Sequence, residues 1–127
     1  MSKYGEAAVA AAQMVSIGRV KHAPDAWDTA VKKAFPGRVA SQRKGCPRGA
    51  FLGLCESGLV KGVPAGSYTR SRLNKQYAID AVRILREHPA LANEPNQIWR
   101  LVIGRAAKVE NSQMGIVIAL WKQGLIA

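Results

Sequence analysis

The stretch GAFLGLCESGLV, residues 49–60, aligns without gaps on GIVIALWKQGLI, residues 115–126. Small and large apolar residues coincide along the two stretches, and both end in glycine, leucine and a β-branched residue. Gly58 and Gly124 suit the left-handed conformation that closes a helix, after which the leucine folds back onto the last turn. The sequence therefore predicts two equivalent helices that end in the same way.

Three further landmarks recur in the same order along the chain. Ser41-Gln42 recurs as Ser112-Gln113, Trp27 recurs as Trp99, and Tyr4 recurs as Tyr77. A chain of 127 residues fits one domain and is too short for two ordinary ones. We infer one compact domain, 1–127, built from two copies of a three-helix unit: residues 3–62 and 71–127, joined by a linker at 63–70.

Apolar residues follow helical spacing in six segments, and strand-like alternation is almost absent. The predicted fold class is all-α, with six helices in two pseudo-repeated units and room for one short β-hairpin between them. The candidate hairpin is LVKGVPAGSYTR, residues 59–70, in which Pro64 and Gly66 would form the turn. The predicted helices lie at about 4–15, 24–36, 46–58, 77–85, 95–107 and 111–123.

The Gly-Leu helix endings are open to two interpretations. One is a plain helical hairpin, and the other is the exit of a recognition helix in a winged-helix protein, with the turn at Pro64 as a rudimentary wing. The last helix offers few polar side chains that could contact bases, which favours the plain hairpin. Its main polar side chains are Gln113, Lys122 and Gln123.

Net charge is the first indication of function. The formal charge is +11, and the segment from Arg38 to Lys75 carries eight basic residues against one acid, Glu56. Such a field attracts anionic partners. Gly45 and Gly49 lie where a helix begins, so free backbone amides and nearby cations could hold an anion there. The candidate anion- and nucleic-acid-binding residues are Arg43, Lys44, Arg48, Lys61, Tyr68, Arg70 and Arg72.

The two cysteines lead to different expectations. Cys46 precedes Pro47 at a predicted helix N-terminus, where the helix dipole and neighbouring cations favour a thiolate. A nucleophile also needs a base, and nothing in the sequence brings His22 or His88 to it. Cys55 lies on the apolar face and should be an inert core residue. We expect no disulfide, no metal site, no cofactor and no catalytic residue.

Packing roles are expected for other conspicuous residues. Trp27 and Trp99, at equivalent positions, should anchor the core. Gly49 and Gly53 share one helix face and should let the alanine-rich first helix approach closely. Tyr68 lies in the basic loop and is the aromatic residue best placed for surface contact.

The sequence resembles a family of small uncharacterised bacterial proteins. The resemblance rests on KGCPRGAFLGLCESGLVKGV, YTRSRLNKQYAIDAV, the beginning MSKYGEAAVAAA and the ending NSQMGIVIALWKQGLIA, and it covers most of the chain. It implies a complete, compact, intracellular protein of a kind also carried on mobile integron gene cassettes. Because the family is a domain of unknown function, the resemblance supplies no reaction, ligand or catalytic residue.

Three functions follow from these observations. The leading one is a non-enzymatic binding module whose basic central surface engages nucleic-acid backbone without strong sequence specificity. The second is a protein-interaction adaptor that binds an acidic protein and whose charge serves solubility or docking. The third is a small enzyme or ligand sensor that uses Cys46. A cytoplasmic location is expected, because no apolar run approaches the ~20 residues of a membrane helix and no secretory signal is evident.

Overall fold

A computed structural model describes all residues, 1–127, and shows an all-helical protein without a strand or sheet. The all-α prediction is confirmed, since all six predicted helices are present. A four-residue helix and a short 3-10 helix were not predicted, because elements of one turn show no periodicity. No helix combines the length and the hydropathy that crossing a bilayer requires. The elements are α1 Lys3–Ser16, α2 Ala23–Ala34, α3 Val39–Gln42, α4 Gly45–Glu56, α5 Arg72–Glu87, the 3-10 helix Pro89–Asn93, α6 Pro95–Ile103 and α7 Gln113–Lys122.

The predicted β-hairpin between the two halves is wrong. Residues 63–70 contain no strand, and the one β-type pairing is an isolated antiparallel bridge between Val60 and Ile126. The backbone amides of Tyr68 and Thr69 donate to the side chain of Glu56 rather than to a facing strand. These amides are therefore not available to a hairpin ladder.

The predicted helix endings are confirmed. Gly58 has a φ of 73° and Gly124 a φ of 69°, both in the left-handed region. The amide of Leu59 donates to the carbonyl of Leu54 at 3.0 Å, and that of Leu125 donates to Leu120 at 2.9 Å. The bridge between residues 60 and 126 then joins the two chain segments that leave these helices. The duplication of residues 3–62 in 71–127 stays a prediction.

Trp27 and Trp99 belong to the core, as expected. A cluster of 31 buried apolar residues fills the interior, and in it Trp27 is 0% exposed and Trp99 is 6% exposed. Trp27 stacks on Phe51 of α4 with ring centroids 5.3 Å apart. The indole nitrogen of Trp99 donates to the carbonyl of Lys108 at 3.1 Å. These contacts hold α2 against α4 and tie the 104–112 loop to α6.

The partner of the α4 glycines differs from the expectation, which placed α1 against them. A Cβ atom at Gly53 would lie 2.5 Å from the Cβ of Lys75, and one at Gly49 would lie 2.9 Å from the Cβ of Ser71. Both glycines therefore face the beginning of α5. The α1 helix instead crosses α7, where a Cβ at Gly5 would lie 2.7 Å from that of Ala119. Residue spacing identified a close approach but could not identify the helix that makes it.

We predict that Gly53→Ala destabilises the protein by ~1–3 kcal/mol, because the added methyl overlaps the Lys75 backbone. This loss outweighs the gain of about 1 kcal/mol in helix propensity. Urea unfolding measures the difference. Gly45→Ala is the matched control in the same helix, since a Cβ there meets nothing within 4 Å. Equal stability of the two variants would contradict the tight crossing.

Candidate anion-binding cleft

A cavity of about 650 Å³ lies between the first turn of α4 and the segment that leads into α5. We call it the basic cleft, because two arginines and four hydroxyl-bearing side chains line it and no carboxylate does. A second depression, of about 420 Å³, adjoins it and adds Glu56, Arg72 and Lys75 to the surface. The basic cleft is lined by Gly45, Arg48, Gly49, Ser67, Tyr68, Thr69, Arg70 and Ser71.

The two walls of the basic cleft bring different donors to it. On one side α4 begins after Lys44, and no side chain caps its first turn. The first amides of such a helix lack internal acceptors and carry the positive end of the helix dipole, although Pro47 in this turn has no N–H to offer. On the other side the 67–71 segment contributes hydroxyl groups and the exposed Arg70. The cleft therefore combines cationic, hydroxyl and backbone N–H donors.

Glu56 holds the 67–71 segment in place. Its Oε1 accepts hydrogen bonds from the amides of Tyr68 at 2.7 Å and Thr69 at 3.2 Å, and its Oε2 accepts one from Lys75 Nζ at 2.6 Å. The hydrogen bond from Lys75, followed by that from the Tyr68 amide, lowers the pKa of Glu56 from 4.5 to about 2. The one acid of the basic segment is thus hydrogen-bonded within the protein, and its negative charge is paired with that of Lys75.

A chain of hydrogen bonds continues from the cleft to α7. The amide of Ser71 donates to Thr69 Oγ1 at 3.1 Å, and Asn74 Nδ2 donates to Ser71 Oγ at 2.9 Å. Gln113 Nε2 then donates to Asn74 Oδ1 at 3.1 Å. Gln113 is 2% exposed, so this anchor is buried. The 67–71 segment is therefore held at Tyr68 and Thr69 by Glu56, and at Ser71 by the hydrogen bonds that lead to the buried Gln113.

Tyr68 lies at the cleft with its ring partly covered. Its hydroxyl donates to the carbonyl of Pro64 at 2.7 Å. Its ring contacts the imidazole of His22 edge-on, with the ring centroids 5.7 Å apart. Tyr68 is half-buried, whereas His22 is exposed. Sequence reasoning missed the proximity of His22, because 46 residues separate it from Tyr68 and no motif joins them.

The structure brings together only some of the seven residues predicted to bind an anion. Arg48, Tyr68 and Arg70 line the basic cleft, and Arg72 lines the adjoining depression. Arg43, Lys44 and Lys61 are exposed but lie outside both linings.

Of the three cations expected at the start of α4, Arg48 lines the basic cleft, and the anion-binding role of all three stays a prediction. The Nε of Arg48 lies 3.7 Å from Asp28 Oδ1, so a carboxylate of α2 orients it. The hydroxyl residues Ser67, Thr69 and Ser71 were not predicted, although their concentration beside Arg70 in the loop was a readable signal.

The two cysteines occupy different environments. Cys46 is half-buried in the first turn of α4 and does not line the cleft, and Cys55 is buried. Burial raises the pKa of the Cys55 thiol to about 12. No hydrogen bond joins either histidine to Cys46. Nδ1 of His22 lies 3.7 Å from Asp25 Oδ2, and His88 directly precedes the 3-10 helix.

These features define an all-helical protein with an open basic cleft between the start of α4 and the segment that precedes α5. The whole chain, residues 1–127, matches the family of unknown function DUF6979, and the protein belongs to that family. No curated protein and no solved structure matches the chain. The resemblance to an uncharacterised family is confirmed, whereas the bacterial origin and the integron context stay predictions.

The depressed pKa of Glu56 predicts a dependence of stability on pH. Its carboxylate stabilises the fold above about pH 4.5, and this contribution is lost as the pH falls toward 2. At pH 7 we expect Glu56→Gln to lower the free energy of unfolding by ~1–3 kcal/mol, because charged hydrogen bonds are lost. In urea unfolding the difference from wild type should shrink as the pH falls. Glu87→Gln, at an exposed glutamate, is the control, and a difference for Glu56→Gln that is constant with pH would contradict the assignment.

The cysteine environments predict selective alkylation of the native protein. Cys46 should react with iodoacetamide, whereas Cys55, which is 0% exposed and has a raised pKa, should stay protected until the protein unfolds. Peptide mass mapping over time distinguishes the two sites. Cys46→Ser should leave a native protein that takes up no label. Equal rates at both thiols would show that α4 does not bury Cys55.

Proposed function

We propose that this protein is a non-enzymatic binding module whose basic cleft engages the phosphate backbone of a nucleic acid. The observation that supports the proposal most directly is the convergence of Arg48 and Arg70. These side chains come from the two opposite walls of one cavity, and the cavity lining contains no carboxylate. Guanidinium groups are suited to phosphate because they offer paired donors in a fixed plane.

The remaining donors of the cleft suit a phosphate oxygen. Backbone amides of an uncapped helix start and hydroxyl groups are common phosphate contacts in protein–nucleic acid complexes. No array of amide or acidic side chains that would discriminate base edges accompanies them in the cleft. We therefore expect binding that depends on the backbone and little on sequence.

Charge outside the cleft supports the same partner. Arg43 and Lys44 are exposed next to one wall, and Arg72 is exposed next to the other. The formal charge of +11 adds a long-range attraction for polyanions. These three residues lie outside the cleft lining. In the proposal they raise the rate of association with the nucleic acid, while Arg48 and Arg70 hold the bound phosphate.

We predict weak nucleic-acid binding, with a Kd on the order of 10⁻⁴–10⁻⁶ M that rises steeply with salt. Arg48→Ala combined with Arg70→Ala should reduce the slope of log K against log salt by about two units, about 0.9 for each lost phosphate contact. Fluorescence anisotropy with labelled single- and double-stranded DNA and RNA measures both quantities.

The matched control removes the same charge elsewhere. Lys32→Ala combined with Arg100→Ala changes two exposed cations that do not line the cleft. If the two double variants lose equal slope, the attraction is diffuse and the cleft is not the site. Absence of binding to any of these nucleic acids at about 50 mM salt would overturn the proposed function.

A further inference from the structure

A separate cavity, of about 740 Å³, lies at the surface between α1 and α2. We call it the α1–α2 groove. It shares no residue with the basic cleft, and most of its lining is apolar. Four alanines from the two helices line it, of which the buried Ala7 and Ala30 form its floor, and Met14, Ile17 and Val20 line it as well. The alanines are Ala7, Ala10, Ala30 and Ala34.

The groove exists because the side chains on its floor are small. Methyl groups let α1 and α2 pack closely but do not fill the space above their line of contact. Ile17, directly after α1, is 68% exposed, and no other element of the chain covers it. A lone exposed isoleucine is ordinary, but this one continues an apolar surface. Met14 beside it has a flexible side chain that adapts to different apolar partners.

The charges of the groove favour an acidic occupant. Arg19 and Lys33 line it, and neither forms an ion pair within the chain. Glu6 is the one acid of the lining. A second copy of this chain would bring another net charge of +11 to the same place. Like charges oppose association, whereas a partner with acidic flanks gains attraction at the rim.

The length of the groove fits a short helix. Its lining on α1 extends from Glu6 to Ile17, which corresponds to about 16 Å along a helix axis, or three turns. An amphipathic helix of that length presents apolar residues at i, i+3 or i+4, and i+7, which is the usual pattern of helix-in-groove recognition. Large side chains of the partner would occupy the space above the alanines.

We propose that the α1–α2 groove is a docking site for an amphipathic helix of another protein, with apolar anchors on one face and acidic residues on its flanks. The site is independent of the basic cleft. Either surface can therefore be tested while the other is left intact.

The test begins with selection of displayed helical peptides of about 16 residues, randomised at one face and its flanks, against the full-length protein. We expect enrichment of apolar residues at the anchor spacing with aspartate or glutamate beside them. A synthetic peptide of the selected consensus then serves as the probe in fluorescence anisotropy. Enrichment of basic or proline-rich peptides, or no enrichment, overturns the proposal.

Variants of exposed groove positions then locate the bound peptide. Ala10→Glu places a carboxylate against the apolar anchors and should weaken binding at least about tenfold. Arg19→Ala combined with Lys33→Ala should weaken it about two- to fivefold, as expected for charges at a rim. Leu101→Ser on α6, at a leucine that is 57% exposed, is the control for Ala10→Glu, and Lys32→Ala is the control for the charge variant.

Each variant must keep the wild-type circular dichroism spectrum and melting temperature for its result to count as a binding effect. The variant Arg48→Ala/Arg70→Ala should bind the peptide as wild type does, which separates this site from the proposed nucleic-acid site. If Ala10→Glu leaves peptide affinity unchanged, the groove is not the site. If Ala10→Glu converts a dimer into a monomer in sedimentation, the occupant is a second copy and the acidic-helix proposal is wrong.

Discussion

The close approach of α4 and α5 is the constraint on which the rest of the site depends. It occurs because Gly49 and Gly53 carry no side chain where Ser71 and Lys75 cross them. A Cβ at either glycine would lie under 3.0 Å from a side-chain atom of α5 or of the residue before it. The crossing brings Lys75 to Glu56 and places the 67–71 segment over the first turn of α4. Without it, the two walls of the basic cleft would not face one another.

The same crossing decides the electrostatics of the cleft. Between Arg38 and Lys75 the chain contains a single acid, Glu56. Its carboxylate accepts hydrogen bonds from two backbone amides and from one lysine side chain. These donors favour its ionised form, which is why its pKa falls to about 2. Because its oxygens are occupied by internal donors, Glu56 does not pair with a cation of the cleft, although Arg48 has a carboxylate neighbour in Asp28 at 3.7 Å. A structural ion pair thus supports a basic surface rather than neutralising it.

Sequence predicted the parts of this fold that depend on neighbouring residues. Helix periodicity and the left-handed closures at Gly58 and Gly124 are local properties, and both are confirmed. The hairpin prediction was wrong because Glu56, twelve residues before Tyr68, takes the amides that a ladder would need. Arg43, Lys44 and Arg48 lie around the start of α4 as expected, and their role in anion binding stays a prediction. Closeness in sequence does not fix the direction of a side chain, and only one of the three lines the cleft.

Contacts between distant segments lay beyond the sequence for a physical reason. Nothing in the spacing of Gly49 and Gly53 distinguishes an approach by α1 from an approach by α5, since the spacing indicates only that one face of α4 is free of side chains. The nearness of His22 to Tyr68 depends on how α2 packs against the loop, which is a property of the whole core. A single sequence carries no direct record of such pairs, whereas local features such as the helix closures at Gly58 and Gly124 follow from neighbouring residues.

The two proposed surfaces use the positive charge of the protein in different ways. In the basic cleft, charge supplies the binding energy itself. Added salt should release the partner, because it reduces the free energy gained when counterions leave the nucleic acid. In the α1–α2 groove, charge guides an acidic helix to an apolar floor, and the burial of that floor should persist when salt screens the rim. A net charge of +11 therefore does not by itself identify the partner. The two sites differ in their apolar surface. Most residues that line the groove are apolar, whereas Tyr68 is the one apolar residue of the cleft lining.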